Sequence, residues 1–349
     1  MPLAKQSMSM PNPTAVAPAT PPAHPMDQIP VRQMKFCFTD FTPTEPGATA
    51  MAAAGAGLPV AATATPVWSR TNPNFAIFIN ALGIHVPHFE RFLVKVMRTY
   101  RDELPTILPA DLNQAQLRHE VQAIIGQEAH HAYNFLGWNK VLGEHYPGIK
   151  ALDEHARTYF DKVFQNRSKK FHIGFTAGYE TFTFLGGMII LNRYQELMAD
   201  ADPTLRALWV WHQVEEVEHG AVAFDFFRAF YPRALWYRRW MVVLAFAHIA
   251  WETCQAYGLM IRREGFYRQP SRALRAWKFF SGFAFDLARA AWPVLGRNYH
   301  PRHHPICNDE QNQIAMAWRK YHAAGHNTLQ LNNAAIEQML AITKKGTTL

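Results

Sequence analysis

The sequence predicts an all-α protein: a four-helix bundle with additional helices after it. Three observations predict this. From about residue 75 apolar residues recur three and four apart, strand-like alternation is absent there, and two helical pairs in tandem each carry a glutamate followed by Glu-x-x-His. With 349 residues, 49% apolar composition and ten Trp, the chain has ample material for one large core.

Residues 1–70 contain PNPTAVAPATPPAHP and GATAMAAAGAGLPVAATATP, which hold too few bulky apolar groups to offset the entropy of ordering. They are expected to form a largely disordered Ala/Pro-rich tail, although Lys35 to Phe41 is apolar enough to pack onto the body. The basic and then apolar build of a secretory signal is missing. Pro87 and His88 open the first long helix, which Pro105 ends. Asp111 is expected to cap the second, running to about Gly143, and a shorter helix follows over 148–166. The third long helix spans Ser168 to Ala199. Asp202, with Pro203 at the first helical position, starts a fourth that Pro232 stops. On this reading residues 75–232 form the bundle, and 233–349 form a helical extension packed on it.

Within the extension, 240-WMVVLAFAHIAWETCQAYGLMI-261 and 272-RALRAWKFFSGFAFDLARAAW-292 are unusually apolar helices. The first has the length to cross a bilayer, yet His248 and Glu252 near its middle are costly in lipid, so a helix packed in the protein is expected. Flanking Trp236, Trp240, Arg238, Arg239, Arg262 and Arg263 keep a membrane-surface contact through 236–263 as the alternative. The loop 299-YHPRHHP-305 and two further helical stretches complete the chain.

A formal net charge of +8 comes without a zinc-finger, RNP or helix-turn-helix signature, so nucleic acid is not an expected partner. Cys37, Cys254 and Cys307 are too few and too scattered for a disulfide framework or a thiolate zinc site. The expected compartment is the cytoplasm, with membrane association as a variant.

The motif that carries chemistry is 215-EEVEH-219. Glu216 and His219 stand at i and i+3, one turn apart on one helix face, which is the spacing of a two-ligand metal clip. Glu128 and His131, in 124-IIGQEAHHAYNF-135, repeat that spacing on the second long helix. One helix ahead of each clip stands a glutamate in an apolar setting, Glu90 and Glu180. The separations are 38 residues from Glu90 to Glu128 and 36 from Glu180 to Glu216. Two single glutamates and two Glu-x-x-His clips on four helices form the ligand set of a bundle that holds two metal ions in its core. Two divalent cations would cancel the four carboxylates, which unpaired and buried would be very unfavourable. Carboxylate and imidazole without thiolate suit iron or manganese, so two Fe ions are expected, with Mn or mixed Mn/Fe as variants. Glu215, at i−4 from His219, is the expected catalytic acid or base. Glu218, about 200° around the helix from Glu216, should face outward or pair with Arg. His212, like His85, His88 and His119, is expected to be structural. Tyr133, Tyr179 and Asp225 are candidates for hydrogen bonds to ligands.

The segments VPHFERFLVKVMRTY, IIGQEAHHAYNFLGWN and WVWHQVEEVEHGAVAFD, with the later NYHPRHHP turn, resemble a bacterial family of predicted metal-dependent hydrolases over roughly residues 75–320. Phe135 stands where some members of that family place a further histidine. The ligand pattern is also similar to that of the ferritin-like di-iron superfamily. That similarity implies a ferritin-like bundle, with Glu90, Glu128, His131, Glu180, Glu216 and His219 on the metals and Glu128 or Glu216 bridging.

The leading functional expectation is a di-iron, O2-dependent oxidoreductase of the hydroxylase, desaturase or N-oxygenase type, acting on an apolar or aromatic small molecule. It would need O2 and an electron donor as partners, and a homodimer is a further expectation. The alternative is a dimetal-dependent hydrolase. A second alternative is a non-catalytic, ferritin-like metal-binding protein.

Overall fold

The structure, a computed structural model, describes residues 24–41, 65–306 and 312–345. The expected disorder of residues 1–23 and 42–64 falls outside the described residues. Among the described residues regular structure is helical, apart from one isolated antiparallel bridge between Ser69 and Ala201.

A helix that periodicity did not announce comes first: α1, Pro73–Leu82, capped by Asn72, whose side chain accepts from the Phe75 N–H. Every residue from Phe75 to Ala81 is buried, so no polar face exists to reveal a helical period. The next helices are α2 (Val86–Tyr100), α3 (Gln114–His145) and α4 (Ile149–Asn166). Asn113, not Asp111, caps α3 by accepting from the Gln116 N–H at 3.0 Å. Asp111 instead receives both Nη groups of Arg228 at 2.8 Å. The third long helix, α5 (Lys169–Asn192), is capped by Ser168 and ends short of Ala199. The chain turns at Arg193 into a brief α6, Tyr194–Met198. Asp202 caps α7, Pro203–His219, as expected. The fourth helix then breaks at Gly220 and Ala221 and resumes as α8, Val222–Phe230. In both cases apolar residues continue across the break, so the sequence reads as one helix. Beyond lie α9 (Leu235–Arg263), α10 (Pro270–Ala290), α11 (Gln313–Ala323) and α12 (Asn333–Lys345).

Helices α2, α3, α7 and α5 close a ring: α2 packs along α3, α3 on α7, α7 along α5, and α5 on α2. The chemistry-bearing faces of all four turn into that ring. Helix α9 lies outside it, against α5 and α1, with His248 and Glu252 turned into the protein. Its length tempted a transmembrane reading. Among the described residues, however, no helix is long and apolar enough to cross a membrane.

Residues 24–41, which composition assigns to a tail, lie as an extended strap across α3 and α7. Arg32, Met34 and Phe38 are buried and Phe36 half-buried, while Gln33, Lys35 and Cys37 are exposed: the period of two of an extended chain with one face inward. Asn134 fixes the strap by accepting from the Phe36 N–H and donating to the Met34 carbonyl, both at 2.9 Å. Phe36 and Phe38 rest on Trp211 and Trp138.

The contact of α5 with α9 depends on Gly178, where an added Cβ would lie 2.5 Å from the Met241 carbonyl oxygen. A backbone atom cannot rotate aside, so Gly178→Val should force the helices apart. Thermal unfolding of metal-loaded protein should show a loss of about 1–3 kcal/mol, with metal content retained.

Candidate metal centre

Inside the ring the structure brings Glu128, His131, Glu216 and His219 together, and a second group of Glu90, His131, His212 and Glu216 adjoins them. In each group the ligand atoms lie within 4.8 Å of one another. His131 and Glu216 belong to both. His131 Nδ1 stands 3.5 Å from Glu128 Oε2 and 3.6 Å from Glu216 Oε1. His219 Nε2 stands 3.4 Å from Glu128 Oε1 and 3.8 Å from Glu216 Oε2. Such spacings match donors sharing a cation with bonds of roughly 2.0–2.2 Å. Glu216 turns one oxygen toward each group, the geometry of a bridging carboxylate.

Of the six expected ligands, Glu180 stands one step back. Its Oε2 meets His219 Nδ1 at 3.1 Å, and its Oε1 accepts from Thr183 at 3.3 Å. Glu215 does the same for the other clip: its Oε2 meets His131 Nε2 at 2.9 Å and its Oε1 accepts from Arg32 at 2.8 Å. Each clip histidine thus turns one ring nitrogen to the centre and ties the other to a carboxylate. That arrangement fixes tautomer and orientation. Both Glu215 oxygens are engaged here, Oε2 with His131 and Oε1 with Arg32.

His212 was expected to be structural, but its Nε2 lies 3.1 Å from Glu90 Oε1 and 3.0 Å from Glu216 Oε1. It stands four residues before Glu216, on the same face as the clip. The sequence signal was that spacing, which has no counterpart in the first half of the repeat. Phe135, where a further histidine was of interest, packs edge-on against His212 with centroids 4.7 Å apart. Glu218 does not face solvent. It is buried and takes the Arg pairing, receiving both Nη groups of Arg32 at 2.8 Å. Arg32 itself was missed, because it lies in the segment assigned to the tail. Its guanidinium, stacked over Trp318, reaches through the strap to both Glu215 and Glu218. Gly126 lets the strap approach this closely, since a Cβ there would meet Val31 at 2.7 Å. The proposed hydrogen-bonding tyrosines do not reach the ligands: Tyr133 is exposed and Tyr179 bonds His248, while Asp225 pairs with Arg228 and His300.

Whether these residues suit metal ions can be judged from their unmet bonding. Glu90 Oε2, both oxygens of Glu128 and of Glu216, His131 Nδ1 and His219 Nε2 are buried without a hydrogen-bond partner. Leaving so many polar atoms unpaired in a protein interior is unfavourable by roughly 1–3 kcal/mol each, more where charged. Their convergence on one centre is what cations would satisfy. The electrostatics of the metal-free site reflect the same crowding. Burial, with Glu180 and Glu216 nearby, pushes Glu128 up to about 8. Burial also raises Glu180 well above the usual carboxylate range, aided by Glu216 and Glu90. For Glu216 burial is outweighed by His219, His212 and His131, which hold it down at about 2. Burial disfavours the His131 imidazolium, yet the Glu128 carboxylate close by and the bond with Glu215 raise it well above the ordinary histidine range.

A model of the family described as predicted metal-dependent hydrolase matches residues 58–309, well over half of the chain. No curated protein and no solved structure matches, so the likeness to ferritin-like di-iron proteins is one of ligand pattern alone. The family match corrects the expectation of a di-iron, O2-dependent oxidoreductase. The physical reason for the misreading is plain: carboxylate and imidazole donors hold redox-active and redox-inert ions alike, so the ligand set does not fix the reaction.

Two outcomes follow from the geometry. Glu128→Ala and His219→Ala should each lower bound metal from two ions per chain to one or none by elemental analysis of folded protein; undiminished content in both would mean the ligands are misassigned. In metal-free protein, Glu128 keeps a proton in the folded state between its ordinary value of 4.5 and about 8 that the unfolded chain has already released. Its contribution to stability is therefore present below that window and is lost as pH rises through it. Melting temperatures from pH 5 to 8 should fall more steeply for metal-free wild type than for metal-free Glu128→Gln.

Proposed function

Because the chain belongs to the family of predicted metal-dependent hydrolases, we propose that it is a dimetal-dependent hydrolase whose centre is the buried Glu/His cluster of α2, α3, α5 and α7. The observation that carries this reading is the set of unpartnered ligand atoms converging inside the matched region. Glu90, Glu128, His131, His212, Glu216 and His219 would hold the ions. Two iron ions are the proposed occupants, with Mn or a mixed Mn/Fe pair as variants, on the chemistry of the donors. When bound, such ions lower the pKa of water and polarise a carbonyl or phosphoryl oxygen.

The chain's own residues then have distinct tasks. Glu180 and Glu215 hold the outer ring nitrogens of His219 and His131, which keeps the inner nitrogens aimed at the centre. Against burial, His131 and then Arg32 lower Glu215 below its ordinary value, and Arg32 anchors its Oε1. A cleft of about 830 Å3 is lined by Arg32 and Glu218 together with Met316, Arg319, Lys320 and His322. It leads from solvent to the Arg32–Glu215–His131 chain, and its basic lining favours an ester or phosphoester that carries an anionic group. Glu215, released from Arg32 by such a group, would be the acid or base nearest the centre.

Chelator-stripped protein reloaded with Fe(II), Mn(II) or Zn(II) should regain hydrolysis of carboxylic or phosphate esters, including with redox-inert zinc. Glu215→Gln should lower the rate by roughly 10–100-fold while folding is retained. Full metal content without hydrolysis of any ester, phosphoester or amide would favour the non-catalytic alternative.

A further inference from the structure

We propose that the outer face of α9 and its neighbouring loop is a docking surface for an anionic lipid bilayer, on which the protein rests without crossing it. One side of α9 is packed against α5 and α1. The other exposes Trp236, Trp240, Val243, Ala247 and Trp251, at successive steps of four, three, four and four residues. The three tryptophans are 77%, 58% and 64% exposed. None of these five positions is charged, and the stripe extends roughly 22 Å along the helix; Arg239 lies at its edge, over the Trp236 ring. A water-facing helix surface ordinarily carries polar residues. Across a shallow cleft of about 650 Å3, Trp236, Trp240 and Val243 face Trp292, Pro293 and Leu295, so the apolar ridge continues beyond one helix. Trp292 is itself 76% exposed.

Charge identifies the partner. Residues 233–297 contain eleven Lys and Arg against three Asp and Glu, a net +8 that equals the net charge of the whole chain, so the rest of the sequence is balanced. The three acids are engaged within the fold: Glu252 is buried, Glu264 accepts from Tyr146, and Asp286 pairs with Arg193. Arg262, Arg263, Arg268, Arg275, Lys278 and Arg289 are exposed. A second copy of this chain would bring two such basic segments together, which like-charge repulsion opposes. A nucleic acid would need a row of cations along the contact ridge, whereas the cleft lining is apolar apart from Arg239, and the stripe itself carries three tryptophans. An anionic bilayer satisfies both features. Tryptophan settles at the headgroup level, and each flanking Lys or Arg adds roughly fivefold in affinity for a negatively charged leaflet.

The test uses full-length, metal-loaded protein sedimented with vesicles of phosphatidylcholine alone or of phosphatidylcholine with phosphatidylserine. Binding is expected on the anionic vesicles, weakening with salt and accompanied by a blue shift of tryptophan emission. The triple variant Trp236→Ser, Trp240→Ser, Trp251→Ser alters only exposed side chains. It should keep its metal content and melting temperature while losing at least about tenfold in vesicle affinity. Arg262→Glu with Arg263→Glu should weaken binding to anionic vesicles more than to neutral ones. Absence of binding to both vesicle types overturns the proposal. So does equal binding to both, or a self-association or RNA binding that the tryptophan variant abolishes while vesicles go unbound.

Discussion

The constraint on which the molecule depends is an excess of buried negative charge. Glu90, Glu128, Glu180, Glu215, Glu216 and Glu218 are each at most 2% exposed, and they sit inside one ring of helices with Arg32 as the guanidinium among them. Six carboxylates against one arginine leave five negative charges if all are ionised. Burial of even one unpaired carboxylate is strongly unfavourable. Burial and the neighbouring carboxylates raise Glu128 and Glu180 above the usual carboxylate range in the metal-free state, which favours their protonated forms. Two divalent cations would remove the need for those protons and occupy the unpartnered oxygens and nitrogens at the same time. Stability and chemistry therefore rest on the same event.

Much of the architecture serves to keep that charge dry and aligned. The extended strap closes one side of the ring and delivers Arg32 to Glu215 and Glu218, so a segment outside the bundle helps position a ligand inside it. Glu180 and Glu215 perform equivalent duties in the two halves of the tandem repeat, each holding a clip histidine by its outer nitrogen. The symmetry is incomplete. His212 joins Glu90 and Glu216 on one side, and the first half of the repeat offers no matching histidine. Were two ions bound, that asymmetry would give them different donors, as a centre needs in which one ion orients a substrate and the other activates water.

The helical class and the four ligand-bearing helices were legible because two periodicities reinforce each other: apolar residues at three and four, and Glu-x-x-His at the same step. Helix α1 was not, since a helix buried on every side has no polar face to set a period. The breaks at Arg193 and Gly220 were hidden by apolar residues continuing across them. Arg32 escaped because the Ala/Pro-rich surroundings dominate the composition there, although the alternation from Arg32 to Phe38 carried the signal of an extended inward face. That His212 joins a candidate ligand group while Glu180 meets His219 is something spacing cannot show. Which oxygen or nitrogen meets the centre depends on how neighbouring helices are rotated. Reaction type was least legible, because the same donors serve oxidation and hydrolysis.

The most direct test of the account is anomalous diffraction from crystals of the metal-loaded protein. It should reveal two ions about 3.5–4 Å apart, with a Glu216 oxygen on each, His131 bound through Nδ1 and His219 through Nε2. Ions bound elsewhere on the chain, with the helix ring empty and its glutamates paired only to one another, would contradict it.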